Sequence, residues 1–155
     1  IIMDLFEKHI PLSGITIMIQ KEVADRIRAI PGSKDYGALS LAVQYYAKPY
    51  IAANVPPNCF MPRPKVGSAV ICLTPHKKPP YDVKDESLLF SLIRASFNQR
   101  RKTLVNGIYN YEGLSFSKDL ILEALTASGL AKDIRGESLS LEQFINIANY
   151  LSEKS

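Results

Sequence analysis

Only two cysteines, Cys59 and Cys72, and two histidines, His9 and His76, occur in the 155 residues. Two thiols so placed make neither a disulfide framework nor a metal cluster, and two isolated imidazoles add no ligand set, so no metal is expected. No apolar run approaches the length of a membrane span. No basic segment leading into an apolar core opens the chain, as it would in a secretory signal. A cytoplasmic location without a membrane partner is therefore the expectation. Internal repeats and low-complexity tracts are also lacking. Hydrophobic residues make up 46% and charged ones 22% of the chain, which excludes a disordered composition. The length suits one ordinary domain or two small ones.

One absence is local. Between Asp35 and Asp82 there is no acidic residue, while Lys48, Arg63, Lys65, Lys77 and Lys78 fall in that window. From Lys84 to Ser155 nine cations meet nine anions, yet three of the cations adjoin in Arg100-Arg101-Lys102. The net charge of +4 matters less than this clustering, which has the form of an electrostatic footprint for phosphate.

The stretch Val55-Pro-Pro-Asn-Cys-Phe-Met-Pro-Arg-Pro-Lys-Val-Gly-Ser68 holds Pro56, Pro57, Pro62 and Pro64. Proline fixes φ and removes a donor, so this segment is stiff, extended, and neither helix nor central strand. Phe60 sits among the prolines with Arg63 and Lys65 close behind. An aromatic beside positive charge suits a flat anionic ligand, the ring stacking on a base and the cations meeting phosphate. The alternative is a surface loop whose Phe60 tucks into the core.

Periodicity gives the rest. Ile1 to Ile10 reads as a helix without an N-cap, an initiating methionine or a preceding turn, so the chain reads as cut rather than begun. Ile15-Thr-Ile-Met-Ile19 reads as a strand buried on both faces. Val23 and Ile27 mark an amphipathic helix over 21–28. Pro31 to Gly37 is a loop, 39–46 a helix, and 50–55 and 68–74 strands. Too few strands are present to cover a sheet properly. His76-Lys-Lys-Pro-Pro-Tyr81 marks a boundary, giving domains at 1–76 and 85–155 with a linker over 77–84. The second is helical: Asp85 or Ser87 caps a helix carrying Leu89, Ile93 and Phe97, and Ser117 caps another that Gly129 stops. Ser140-Leu-Glu-Gln143 is a capping box for a last helix burying Phe144, Ile147, Ala148 and Leu151. On an unbroken helix Arg100 would fall in the apolar stripe and Lys102 opposite it. Either the helix breaks near Asn98-Gln99 or one arginine is structural, and Arg101 is the favoured RNA contact.

Five motifs then occur in order: Met18-Ile-Gln-Lys-Glu-Val-Ala24, Tyr36-Gly-Ala-Leu-Ser40, the Val55 to Val70 proline segment, Phe97-Asn-Gln-Arg-Arg-Lys-Thr-Leu104 and Arg135-Gly-Glu-Ser-Leu-Ser140. Together they resemble the bacterial small-subunit ribosomal RNA adenine dimethyltransferases over essentially the whole chain. The resemblance implies an α/β fold, a partial Rossmann-like methyltransferase sheet comprising its last three strands, followed by a small all-α C-terminal domain. It implies an enzyme using S-adenosylmethionine to place two methyl groups on N6 of each of two adjacent adenosines. The substrate would be a hairpin loop near the 3′ end of small-subunit ribosomal RNA, and the precursor of the small ribosomal subunit would be the partner. Phe60 matches the aromatic that clamps the target base. Arg100, Arg101, Lys102 and Arg135 match basic positions that meet RNA, and Lys65 serves either RNA or a local ion pair.

The family's Gly-rich turn, its acidic ribose-binding residue and its Asn-Leu-Pro-Tyr motif do not occur in residues 1–155. The resemblance therefore implies that catalytic and cofactor-binding residues lie upstream of Ile1, and that this chain alone neither binds S-adenosylmethionine nor catalyses transfer. Two other readings remain open: a non-catalytic RNA- or ribosome-binding module, and a large-subunit RNA adenine methyltransferase of the macrolide-resistance type. Without its neighbour, the Ile15 to Ile19 strand would expose an apolar edge through which copies could associate.

Overall fold

A computed structural model describes residues 1–78 and 80–155. The chain divides into two compact units, one of residues 1–29 and 39–80, the other of residues 30–38 and 81–155. The expected boundaries at 1–76, 77–84 and 85–155 are contiguous in sequence; these units are not. Residues 30–38, a loop by local composition, belong to the helical unit.

The first unit carries helix α1 (Ile2–Glu7), strand β1 (Ile15–Gln20), helices α2 (Lys21–Arg28) and α3 (Ala38–Tyr46), and strands β2 (Ala47–Val55) and β3 (Ser68–Pro75). The strands form one antiparallel sheet in the order β1-β3-β2. Ile17 and Ile51 both pair with Ile71, and Met18 and Ala53 with Val70. On one face Ile15, Ala69, Ile71 and Leu73 pack with Phe6, Ala24, Ile27 and Val43 into the core. Phe6 stacks on Tyr46 at 5.2 Å.

β1 departs from expectation. It alternates instead of being buried on both faces: Ile15 is buried, while Met18 on the other face is 53% exposed. Side chains of period two can share one core only with every second residue, and among the described residues no layer covers the Met18 face. β2 starts at Ala47, earlier than expected, and runs through Pro49. Proline is tolerated there because β2 lies at the sheet edge, where its missing donor breaks no ladder. α1 ends at Glu7, short of the expected Ile10, and His9 at φ 50° turns the chain away.

The second unit consists of α4 (Glu86–Asn98), α5 (Leu104–Tyr109), α6 (Lys118–Ala127) and α7 (Leu141–Lys154), with residues 30–38. Polar N-caps start these helices: Asp85, Thr103, Ser117 and Ser140 each accept a backbone N–H. Such caps are worth about 1 kcal/mol each. Ser140 and Gln143 close the capping box reciprocally, at 3.3 and 2.9 Å. Leu89, Ile93, Leu104, Ile108, Ile121, Phe144 and Leu151 are buried. α4 packs on α5 and α7, and α6 on the same two.

Candidate nucleic-acid interface

β2 and β3 meet at Val55 and Ser68, and the proline segment is the connection between them. Pro57–Cys59 forms a single 3-10 turn, closed by the Cys59 and Phe60 amides donating to Pro56 and Pro57. The Lys21 amide donates to Gly67 at 3.0 Å and pins the far end to the start of α2. Phe60 stands half-buried against an open cleft of about 380 Å³. Met18 and Gln20 of β1 form one wall, and Met61, Pro62 and Pro64 of the loop the other. Stiff prolines on one side and an uncovered strand face on the other leave a slot with an aromatic at its lip. Met61 is 98% exposed beside it. Arg63 and Lys65 are exposed, and neither makes an ion pair among the described residues.

The basic cluster lies in the helical unit. α4 ends at Asn98, and α5 starts only after Thr103, so Arg100, Arg101 and Lys102 occupy a turn rather than a helix face. The turn is closed by the Lys102 amide donating to Gln99 at 2.8 Å. This break resolves the conflict among three cations on one helix, and Leu104 and Ile108 join the core from a new helix. Arg100 is engaged: its Nε donates to Glu137 at 3.1 Å and its NH2 to the Lys34 carbonyl at 2.9 Å. The pair is partly exposed and worth up to about 1 kcal/mol. Arg101, Lys102 and Arg135 are exposed and form no ion pair among the described residues.

Arg135 joins the cluster through backbone. The Leu104 amide donates to Ile134 at 2.8 Å, which sets the 134–138 segment against the turn. Gly136 is needed there, since a Cβ on it would lie 2.7 Å from the Ser96 Cβ of α4. Residues 30–38 complete the site. The Gly32 amide, at φ 83°, donates to the Glu137 carbonyl at 2.9 Å. Tyr36 is 2% exposed, meets Phe97 edge-on at 6.0 Å and donates its hydroxyl to the Leu139 carbonyl at 2.6 Å. Burial raises the Tyr36 pKa well above the ordinary tyrosine value. Lys34, which residue patterns did not single out, thus enters the cluster from far away in sequence.

A family model described as ribosomal RNA adenine dimethylase matches residues 1–153. A ribosomal RNA small subunit methyltransferase A from Lachnoclostridium phytofermentans is 65% identical over 154 residues, covering 99% of this chain and 53% of the relative. The protein of that name from Halothermothrix orenii is 48% identical over 151 residues, covering 97% and 50%. The chain spans about half the length of the curated relatives it matches. Among solved structures, a dimethyladenosine transferase from Plasmodium falciparum superposes with a TM-score of 0.78 at 24% identity, over 97% of this chain and 62% of that one. A 23S rRNA methyltransferase, ErmE, gives 0.65 at 18% identity, over 97% and 59%. At such identities the likeness is one of fold: α/β, a partial Rossmann-like methyltransferase sheet followed by a small helical part.

Proposed function

Because this chain belongs to the ribosomal RNA adenine dimethylase family, we propose that the whole protein transfers methyl groups to N6 of two adjacent adenosines in small-subunit ribosomal RNA. The identity of 65% to a small-subunit methyltransferase A carries this reading. In it the small ribosomal subunit precursor is the partner, and the compartment is the cytoplasm.

S-adenosylmethionine is the donor that the reading implies, and it would supply an activated methyl group. The cleft beside Phe60 does not fit it. That cleft is lined by Gln20 and Ser68 as its polar side chains and holds no carboxylate, whereas nucleoside-binding sites of this fold class use an acidic residue on the ribose hydroxyls. No step through the cofactor is assigned to this chain.

The chain's part lies with the RNA. A base inside a stack is out of reach of an active site, so it must be extruded and held. Phe60 would stack on it, at the lip of a slot that Met18, Met61, Pro62 and Pro64 line together with the polar Gln20 and Ser68. Arg101, Lys102 and Arg135 meet the phosphate backbone, with Lys65 beside the cleft as a further cation. Arg100, tied to Glu137 and Lys34, serves the cluster by holding it together. The 155-residue chain also presents β1 at the sheet edge, and copies would pair through it.

The test is methylation. The whole protein, given labelled S-adenosylmethionine and small-subunit particles with unmodified adenosines, should place label on two neighbouring nucleosides recovered as N6,N6-dimethyladenosine. Label appearing instead on large-subunit RNA would move the protein to the other substrate class. RNA binding without any label would leave a non-catalytic module.

A further inference from the structure

We infer that Lys34 is a phosphate-contacting residue of the RNA interface, delivered there by residues 30–38 and held in place by Arg100. The inference deepens the proposed function and rests on it, since an RNA partner is what gives the patch its use.

Four observations place Lys34. Its carbonyl accepts from the Arg100 guanidinium at 2.9 Å, the same group that pairs with Glu137. Gly32, two residues earlier, is bonded to the Glu137 carbonyl at 2.9 Å. Tyr36, two residues later, is locked by its hydroxyl and by Phe97. Lys34 itself is exposed and makes no ion pair among the described residues. Its backbone is therefore fixed on both sides while its ammonium is free. A mobile loop would pay ordering entropy to present that charge, and a fixed one does not.

The charge around it has the right sign. Lys34, Arg100, Arg101, Lys102 and Arg135 stand against Glu137, Asp35 and Asp133 in these segments. Glu137 is already neutralised by Arg100. Arg100 has its charge paired with Glu137 and two of its five N–H donors engaged by Glu137 and the Lys34 carbonyl, so its main effect on RNA passes through the residue it positions. Lys34, Arg101, Lys102 and Arg135 are the cations left for phosphate. The second class of partner for such a patch is an acidic protein surface, and RNA is favoured because the chain's family acts on it.

The experiment uses the whole protein and a transcript of small-subunit ribosomal RNA, with affinity measured across salt concentrations. Lys34→Ala should weaken binding about fivefold near 0.15 M salt and flatten the log–log slope by about one unit, as expected for one lost phosphate contact. Lys34→Arg should keep both values. Exchange of the Gly32 amide should stay as in the parent in Lys34→Ala, because the loop's anchors are intact. In Arg100→Gln that amide should exchange faster, and the further effect of Lys34→Ala should fall below twofold. Unchanged affinity and slope in Lys34→Ala would overturn the inference, and a Gly32 amide loosened by that substitution would make Lys34 structural. Methylation by the parent is scored in parallel. A parent that methylates while Lys34→Ala binds normally leaves the proposed function standing without this contact. A parent that binds the transcript but transfers no methyl group removes that function while the slope still decides Lys34.

Discussion

A half-buried phenylalanine at the lip of a cleft either stacks on a ligand or plugs the fold, and truncation separates the two. Stacking on an extruded base is worth about 1–3 kcal/mol. On the proposed function, Phe60→Ala in the whole protein should therefore lower turnover about ten- to a hundredfold, with melting temperature and cofactor affinity little changed. Phe60→Tyr keeps a π-face and should keep most of the activity. A plug would cost about 3–5 kcal/mol of stability instead, and turnover would fall only with the folded fraction. Melting and turnover measured on one preparation decide it. At this scale the sequence made some residues legible and hid others. Phe60 stood out because four prolines left it little freedom. Arg100 stood out as a conflict, three cations that one helix could not aim together, and the structure resolves it with both a break and an ion pair. Lys34 was illegible, because its place depends on a carbonyl bonded to a guanidinium 66 positions away.

Elements with local start and stop signals read well. Asp85, Ser117 and Ser140 are caps in the structure as in the pattern, because a side chain bonding an amide two or three residues on is a local event. The strands read less well, since their neighbours decide them. β1 is β-branched and apolar, the composition of a doubly covered strand, and yet one face is open. The same neighbours decide its edge. β3 occupies one side of β1, and the other side of β1 carries no partner strand among the described residues. An edge of that kind pairs readily with another chain unless charge or a bulge blocks it. Ile15–Gln20 contains no charged residue, and its register with β3 is unbroken. The 155-residue chain should therefore self-associate, and Met18→Lys, on the exposed face, should reduce that association. Light scattering at increasing concentration checks both, and a monomer throughout would show the edge to be protected.

For the whole molecule, the feature with most reach is residues 30–38, which sit between two helices of the first unit in sequence and belong to the second in space. Contiguous domains were the natural reading because Pro31, Gly32 and Gly37 mark a loop, and nothing local says where a loop will dock. Tyr36 decides it, through a hydroxyl bonded to the carbonyl of Leu139, 103 positions on. Burial of that hydroxyl makes the docking depend on pH. Burial raises the folded-state pKa of Tyr36 above the ordinary tyrosine value of about 10. A raised folded pKa means that the folded state holds the proton more tightly than the unfolded chain does. The stabilisation is then complete below pH 10 or so and is lost as pH climbs above it. Hydrogen exchange of the Gly32 amide, on the same segment, should accelerate above that pH before the helical core loosens. Tyr36→Phe removes both the titration and the donor, leaving a buried carbonyl without its partner at a cost of about 1–3 kcal/mol. Its Gly32 exchange should be faster near neutral pH and should lack the alkaline acceleration, after correction for the intrinsic rate. Were the alkaline phase to persist undiminished in Tyr36→Phe, another group would be titrating and the segment would be held by its backbone bonds and by Arg100.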